Sequence, residues 1–240
     1  MTDPNPDALF QFILQRLESE SDEEFAKGQR RFFRHEVETL GVRSDALRRV
    51  ERELGPVIRK WPVAARNRLM QRLWEDGRIE TGALVCYLYR RFERTCGACE
   101  FKLFERWIDR YVRNWAHCDG VASWLVAAAV RNEPELMQRL VEWTGSANPW
   151  KRRAAAVGLL QEAKAGRNFD TIAQVASHLI EDPDRMVQMG LGWLLKEAYI
   201  KQPERTEAFL TGRRAPASRL MLRIAAEKMP EDARRRVLSR

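Results

Sequence analysis

The sequence predicts an all-α protein, and three observations support this fold class. Apolar residues recur at the helical spacing i, i+3, i+4, i+7 through almost every periodic stretch of the 240 residues, and no stretch alternates as a strand does. The connections between these stretches are short, which favours antiparallel neighbouring helices. Small residues beside bulky ones recur at 123–130, 150–160 and 221–228. We therefore expect a HEAT-like helical-repeat solenoid with a concave basic DNA-binding face; a globular helical bundle is the alternative.

The periodicity and the capping residues set the expected helix bounds. Asn148-Pro149 and Asp182-Pro183 each offer a capping side chain followed by proline at the first helical position. Glycines at positions 41, 55, 145 and 166 are the expected stops. The helices are predicted at residues 7–19, 22–39, 44–54, 62–76, 79–95, 99–113, 117–131, 133–144, 149–164, 168–181, 184–200, 203–211, 216–228 and 231–238. Residues 1–240 are expected to form one domain, of which residues 1–24 are an acidic N-terminal helix.

Charge is distributed unevenly along the chain. The net charge is +8, yet residues 1–25 hold seven acidic side chains and one strong base, whereas residues 203–240 hold ten Lys and Arg against five acids. A basic surface concentrated in one part of a molecule is what phosphate binding needs, since neutralised phosphates release counterions. The charge pattern thus makes nucleic acid a candidate partner, and Arg213, Arg214, Arg234, Arg235 and Arg236 are the candidate phosphate contacts.

Other classes of protein fit the sequence less well. No run of about 18 apolar residues is present, and the N-terminus lacks the features of a secretory signal, so a cytoplasmic protein is expected. Cys96 and Cys99 have metal-ligand spacing, but no second pair or suitable histidine follows them. We therefore expect neither a metal nor a cofactor.

Four residues lie away from the predicted core stripes: Trp115, Asp119, Arg153 and Trp193. The stripe near Asp119 consists of Val121, Trp124, Leu125 and Ala128. Asp119 lies on nearly the opposite side of that helix, with Trp115 one turn before it. The structural alternative is that Asp119 caps the helix and Trp115 forms a hydrophobic staple.

Arg153 belongs to a cluster of cations at a helix start. Trp150, Ala154 and Val157 mark the predicted buried stripe, and Arg153 lies at its edge, where its stem can pack while its head reaches outward. It stands in the first turn with Lys151 and Arg152, which is unfavourable for cations because of the helix dipole. Three cations at a helix N-terminus suit a bound anion. The structural alternative is that Arg153, as an arginine at the edge of a stripe, is a packing or salt-bridge residue.

Trp193 lies in a segment that contains two glycines. It points well over 100° from the core stripe of its helix by the helical period of about 3.6 residues. Gly190 and Gly192 each cost roughly 1 kcal/mol relative to alanine within a helix. Their presence indicates close approach of another helix or of a ligand backbone, and another helical layer that buries Trp193 is the alternative.

Four short segments, in this order, resemble the AlkD-type DNA alkylation repair glycosylases, and the likeness extends from about residue 25 to about residue 230. The segments are Gly41-Val42-Arg43 with Leu47-Arg48, Asn114–Asp119, Asn148–Ala154 and Gly192–Glu197. The resemblance implies a HEAT-like solenoid that removes cationic N3- and N7-alkylated purines from duplex DNA. It also implies that Trp115 and Trp193 are pocket tryptophans, that Asp119 is the catalytic carboxylate and that Arg153 is a basic pocket residue that holds the DNA backbone.

These residue types suit that chemistry, with one departure from the family pattern. A carboxylate stabilises the oxocarbenium character that develops on the sugar, and indole faces favour cations by roughly 0.5–2 kcal/mol. Relatives carry an acidic or neutral polar residue directly after the first tryptophan, whereas Ala116, His117 and Cys118 stand here. His117 would change the pH behaviour of the site if it faces it.

The sequence therefore predicts a monomeric alkylpurine DNA glycosylase. In this interpretation Lys151 and Arg152 join the C-terminal arginines as DNA contacts. Two other functions remain open. One is a non-catalytic protein of the same fold that binds branched or damaged DNA, and the other is a helical scaffold whose tryptophans anchor protein partners.

Overall fold

A computed structural model describes residues 4–33 and 35–239. All regular structure in these residues is helical, which confirms the all-α fold class. The chain divides into two compact units, residues 1–94 and residues 95–240, and the assignment of residues 1–240 to one domain stays a prediction. None of the helices in the described part is both long enough and apolar enough to cross a membrane.

The first unit is built on helices that bury regular apolar stripes. α1 begins after Asn5, whose side chain accepts the N–H of Ala8 at 3.0 Å, and it buries Phe10, Ile13 and Leu17 at helical spacing. α1 packs on α4, and α5 packs on α3 and α4. The α-helices are α1 (Pro6–Glu18), α2 (Glu23–Arg30), α3 (Ser44–Ile58), α4 (Val63–Asp76) and α5 (Ile79–Tyr89), and a 3-10 turn, Arg90–Phe92, follows α5.

A buried carboxylate holds the segment between α2 and α3. Glu80 is fully buried and accepts hydrogen bonds from the N–H groups of Leu40, Gly41 and Val42 at 3.2, 2.9 and 3.1 Å. These donors replace the water that a buried carboxylate loses. The helix predicted over residues 22–39 is therefore wrong beyond Arg30, although residue 34 within that range lies outside the described residues.

Gly55 does not end its helix as the sequence predicts, because α3 continues to Ile58. A Cβ on Gly55 would collide with Nε of Arg91. The glycine therefore lies where the Arg91 side chain passes close to the backbone of α3, and it is a packing residue.

The second unit is organised around α13, its longest helix, which contacts α10, α11, α12, α14 and α15. Ala154, Ala155 and Ala156 of α10 are fully buried, and such small residues let α10 approach α13 closely. The elements are α6 (Ala98–Arg110), α7 (Trp115–Gly120), a π-helical turn (Val121–Val126), α8 (Ala127–Asn132), a 3-10 turn (Pro134–Leu136), α9 (Met137–Trp143), α10 (Pro149–Val157), α11 (Leu160–Ala165), α12 (Phe169–Leu179), α13 (Arg185–Lys201), α14 (Pro203–Gly212), α15 (Arg219–Ala225), a 3-10 turn (Ala226–Lys228) and α16 (Glu231–Leu238).

The two predicted proline caps differ in outcome. The Asn148 side chain accepts the N–H of Trp150 at 3.0 Å, which confirms the first cap. The second lies two residues later than predicted, because Asp184 accepts from Met186 and Val187. The continuous helix predicted over residues 149–164 is also wrong, since Gly158 and Leu159 separate α10 from α11.

Candidate active site

Asp119 lies in the last turn of α7, directly before the π-helical turn. The cap of α7 is Asn114, whose side chain accepts the N–H of His117 at 2.9 Å, so the alternative in which Asp119 caps the helix is excluded. The hydroxyl of Ser123 donates to the carbonyl oxygen of Asp119 at 2.7 Å. Single π-helical turns of this kind often accompany functional sites. Here the turn begins two residues after the candidate carboxylate.

Arg153 of α10 forms a two-pronged ion pair with Asp119. Nε of Arg153 donates to Oδ1 of Asp119 at 2.8 Å, and Nη2 donates to Oδ2 at 2.8 Å. The arginine side chain is 7% exposed and that of the aspartate 17%. Parallel hydrogen bonds between charged groups are among the stronger contacts in proteins and fix the carboxylate plane. Asp119 is therefore held in one orientation, with part of its surface still open.

A third helix completes the enclosure of Arg153. Nη1 of Arg153 donates to the carbonyl oxygen of Met186 in α13. A Cβ on Gly190 would lie 3.1 Å from Cγ and 3.3 Å from Nη1 of Arg153, so the glycine makes room for the guanidinium. The expectation that the head of Arg153 reaches outward is wrong: it points inward, because Asp119 and the first turn of α13 supply its hydrogen-bond acceptors.

Burial and charge act in opposite directions on this pair. Burial raises the pKa of Asp119 above its ordinary value of 3.8, while the hydrogen bonds and the charge of Arg153 oppose that shift. Burial alone would lower the pKa of Arg153, but Asp119 more than offsets it, and the result is a raised pKa. The arginine keeps its proton at any ordinary pH. Its fixed positive charge is thus the main factor in the site that favours an ionised Asp119.

Both candidate tryptophans lie outside the core, as the periodicity predicts. Trp115 and Trp193 are half-buried, and Trp193 donates through Nε1 to Glu197 at 3.1 Å. Nζ of Lys164 lies 5.9 Å from the centroid of the Trp193 ring. The hydrogen bond and the cation–π contact of Trp193 therefore go to Glu197 and Lys164. Trp193 lies on α13, the same helix as Gly190, which packs against Arg153 of the ion pair.

Two other tryptophans do not follow their predicted stripes. Trp124 and Trp150 were expected in the core, yet both are half-buried. Trp124 lies within the π-helical turn, where the hydrogen-bond pattern departs from the 3.6-residue period used to place it. Exposure alone therefore does not distinguish Trp115 and Trp193 from the other tryptophans of this region.

The cations beside Arg153 are paired with carboxylates of the protein. Lys151 contacts Glu105 and Asp109, each at 2.9 Å. Arg152 donates to both carboxylate oxygens of Asp182 at 2.6 and 3.1 Å. Carboxylates of the same unit thus take the place of the anion that this helix start was expected to bind. The side chains of Lys151 and Arg152 are each only 15% exposed. A role of Lys151 and Arg152 in DNA binding stays a prediction that the geometry does not favour.

The C-terminal arginines are more accessible. Arg213, Arg234, Arg235 and Arg236 are exposed, and Arg214 is half-buried with Nη1 donating to the carbonyl oxygen of Arg236 at 3.0 Å. Arg236 contacts Glu207 at 2.5 Å, and the Arg213 guanidinium lies 4.7 Å from the centroid of the Phe209 ring. Their part in phosphate binding stays a prediction.

His117, the departure from the family pattern, is buried. Its Nδ1 lies 3.1 Å from Nδ2 of Asn114, the capping residue of α7. Sequence reasoning missed two residues that shape the site, Met186 and Glu197. The signal for Glu197 was its position four residues after Trp193, where helical side chains meet. A backbone acceptor such as Met186 leaves no signal in the sequence.

Comparisons with known proteins show the family and the fold of the chain. The family model described as DNA alkylation repair enzyme matches residues 13–229. Among solved structures, one described as a predicted DNA alkylation repair enzyme from Enterococcus faecalis is similar with a TM-score of 0.76 and 16% identity, over 88% of this chain and 98% of that chain. No curated protein matches the sequence. At this identity the structural likeness shows the fold alone, which is the helical-repeat fold expected from the sequence.

Proposed function

The chain belongs to the DNA alkylation repair enzyme family, and on that premise we propose that it is a DNA glycosylase for cationic N3- and N7-alkylated purines in duplex DNA. It would act in base excision repair as a monomer. The observation that supports this proposal most is the ion pair between Asp119 and Arg153, which holds a partly exposed carboxylate in one orientation.

The reaction needs a negative charge near the sugar. When the bond between C1′ and the base nitrogen breaks, its electron pair leaves with the base and neutralises the positive charge of the alkylpurine. Positive charge develops on the sugar ring, and water then adds to C1′ and loses a proton. A carboxylate lying beside the sugar stabilises that charge without reorganising. In our proposal this carboxylate is Asp119.

The pairing with Arg153 leaves Asp119 able to act. Two carboxylate oxygens offer about four acceptor positions, and Arg153 occupies two of them. In the proposed mechanism Arg153 is a positioning residue, since its guanidinium is buried against Asp119 and Met186. The part in holding the DNA backbone that the family resemblance implies for it remains untested.

The face of Trp193 suits a cationic base. Its ring already attracts the ammonium group of Lys164, and Glu197 holds the indole through its N–H. Such contacts contribute roughly 0.5–2 kcal/mol, depending on exposure. An alkylpurine would compete with Lys164 for this face. Trp115, four residues before Asp119, is the second aromatic group proposed to contact the base.

The test is an incubation of the full chain with N-methylated duplex DNA, scored for released 7-methylguanine and 3-methyladenine. We expect release by the wild type and none by Asp119→Asn, with duplex binding by the variant largely unchanged. Release at the wild-type rate by Asp119→Asn would refute the assignment. Wild-type binding to damaged duplex without release would favour the non-catalytic DNA-binding function, and loss of DNA at physiological salt would favour the protein scaffold.

The tryptophans are tested by their selectivity. Trp115→Ala and Trp193→Ala should weaken binding to methylated duplex more than binding to the same duplex without methylation. Trp124→Ala is the matched control, since Trp124 is also half-buried but is not assigned to the base. An equal loss on both duplexes in all three variants would contradict the role proposed for the two aromatic groups.

A further inference from the structure

Trp193 lies between two side chains of opposite charge. Its Nε1 donates to Oε1 of Glu197 at 3.1 Å, and Nζ of Lys164 lies 5.9 Å from the centroid of its ring. Lys164 stands on α11, whereas Trp193 and Glu197 stand on α13, and the two helices pack against each other. We call these three residues the Trp193 cluster. It brings a cation to the ring of the indole and an anion to its N–H edge.

The second unit contains another cluster of the same three residue types. Nε1 of Trp143 donates to Oε1 of Glu105 at 2.9 Å, and Nζ of Lys151 lies 5.7 Å from the centroid of the Trp143 ring. In this cluster the ammonium also reaches the carboxylate, at 2.9 Å. Trp143 is only 2% exposed. The lysine, the indole and the carboxylate therefore satisfy one another, and the cluster is closed to a ligand.

The Trp193 cluster is open by comparison. Glu197 is half-buried, and the indole N–H is the only hydrogen-bond or ion-pair partner of its carboxylate in the described part of the chain. Lys164 is exposed and forms no ion pair with any described carboxylate, that of Glu197 included. The preceding residue on α13, Lys196, is paired with Glu227 at 3.0 Å. Because an indole is a neutral donor, the carboxylate keeps its negative charge available to a further cation.

The lysine of this cluster is a weakly held occupant of the indole face. Cation–π contacts extend to about 6 Å from the ring centroid, so the Lys164 ammonium lies near their limit. Such contacts are weakest at exposed sites, and Lys164 is exposed. A flat cation that stacks on the ring would displace the ammonium and would then meet the charge of Glu197.

A positively charged base and a neutral base differ in what Glu197 offers them. Unit charges roughly 7 Å apart, at an effective dielectric constant of about 40 for a half-exposed site, attract each other enough for a preference on the order of tenfold. A neutral base on the same ring gains the stacking contact without this attraction. The carboxylate thus discriminates between bases by their charge.

We propose that Glu197 is a specificity-determining residue that selects a positively charged base, and that Lys164 occupies the place of this base on Trp193 when DNA is absent. The inference rests on the proposed glycosylase function, because it requires that the alkylated purine lie on Trp193. When the glycosidic bond breaks, its electron pair leaves with the base, and the base becomes neutral. The attraction of Glu197 then ends, and Lys164 returns to the indole as the product leaves.

The experiment measures the affinity of the full chain for two duplexes by fluorescence anisotropy. One carries a single 7-methylguanine, which is cationic, and the other carries 7-methyl-7-deazaguanine, a neutral base of the same shape. A 2′-fluorine on both nucleotides disfavours positive charge on the sugar and keeps the glycosidic bond intact during the measurement. The ratio of the two affinities reports the preference for charge, because the phosphate contacts are the same in both duplexes.

Each of two test variants has a matched control. E197Q keeps an acceptor for the indole N–H and removes the charge, whereas E204Q removes the charge of an exposed glutamate that has no ion pair with the described residues. K164Q removes the competing ammonium, and K201Q removes the charge of an exposed lysine at the end of α13. Far-UV circular dichroism checks that all of these proteins are folded.

The two test variants should change the affinity ratio in opposite directions. E197Q should lower the preference for the cationic duplex on the order of tenfold, and K164Q should raise it about two- to fivefold, while both controls match the wild type. On cleavable DNA, E197Q should raise KM without lowering kcat, because positive charge leaves the base in the transition state. A charge preference retained by E197Q would overturn the proposal, as would an unchanged ratio in K164Q.

The outcome is separate from that of the glycosylase assay. A chain that releases no base but prefers the cationic duplex through Glu197 refutes the proposed enzyme and supports the selectivity. Release of 7-methylguanine by a chain whose charge preference survives in E197Q does the reverse. A wild type that binds both duplexes equally overturns the selectivity, whatever the result with cleavable DNA.

Discussion

Replacing Arg153 by methionine removes a guanidinium and leaves Asp119 in its buried position. Two hydrogen bonds of 2.8 Å to the carboxylate are lost, together with the one to the carbonyl of Met186. Removal of one partner from a buried ion pair costs roughly 3–5 kcal/mol. Because the Asp119 side chain retains 17% exposure, we expect a loss at the lower end of this range: the free energy of unfolding at neutral pH should fall by about 3 kcal/mol.

The assay is urea unfolding of four proteins: the wild type, Arg153→Met, Asp119→Asn and the double variant. Asparagine carries no charge, so in the background of Arg153→Met it should recover about 1–2 kcal/mol. The matched control is Arg152→Met, which removes the neighbouring guanidinium from Asp182. In the double variant Arg152→Met/Asp119→Asn, the losses in the free energy of unfolding of the two single variants should add, with no recovery. A loss below about 1 kcal/mol in Arg153→Met, or no recovery in the double variant, would refute the reasoning.

The pH dependence provides an independent check of this variant. Without Arg153, burial acts unopposed and the pKa of Asp119 in the folded protein rises further above its ordinary value of 3.8. A carboxyl group whose pKa is raised by folding contributes stability that is present below its pKa in the unfolded chain and is lost as pH rises through its pKa in the folded protein. The deficit of Arg153→Met relative to the wild type should thus be smallest in acid and largest at neutral pH. A deficit that grows towards acid would contradict this assignment of charge.

Three further predictions concern activity and binding. Gly190→Ala should reduce base release about tenfold or more in steady-state kinetics, because the added Cβ would press on Arg153. Urea unfolding should show little loss of stability, since alanine gains roughly 1 kcal/mol of helix propensity over glycine. Gly192→Ala is its control and should instead lower stability, since its Cβ would lie 2.8 Å from the Ile224 side chain; the opposite ranking would contradict the positioning role. The acid limb of the pH–rate profile should lie above pH 3.8 because burial raises the pKa of Asp119, and a limb at or below that value would be inconsistent with an ionised Asp119 as the required form. Replacing residues 234–236 by glutamine should lower the salt slope of duplex binding by up to about 2.7, and an unchanged slope would remove them from the DNA contacts.

Much of the fold was predictable because helices are local structures. The start of α10 follows from its capping residue, Asn148, and the buried alanines of α10 follow from small residues at helical spacing. Errors arose where a contact distant in sequence changed a local preference. α3 continues through Gly55 because Arg91 packs across it, and the chain after α2 is irregular because Glu80 binds its N–H groups.

The candidate site was predictable in its members but not in its contacts. Helical period placed Asp119 and Trp193 off the buried stripes, and both are partly exposed. The same period failed for Trp124, since a π-helical turn interrupts it. The orientation of Arg153 was also wrong, because an arginine at the edge of a stripe turns inward once a buried carboxylate accepts its hydrogen bonds.

The amino-acid sequence by itself determined the all-helical class, the order of the segments that resemble alkylpurine glycosylases, and the presence of three cations at the start of one helix. Only the tertiary structure decided which anion each cation meets: Asp109 for Lys151, Asp182 for Arg152 and Asp119 for Arg153. The reason is that each pair joins residues 30 to 42 positions apart in the chain. Helical periodicity relates residues within a few turns, and ion pairs between helices depend on how those helices pack.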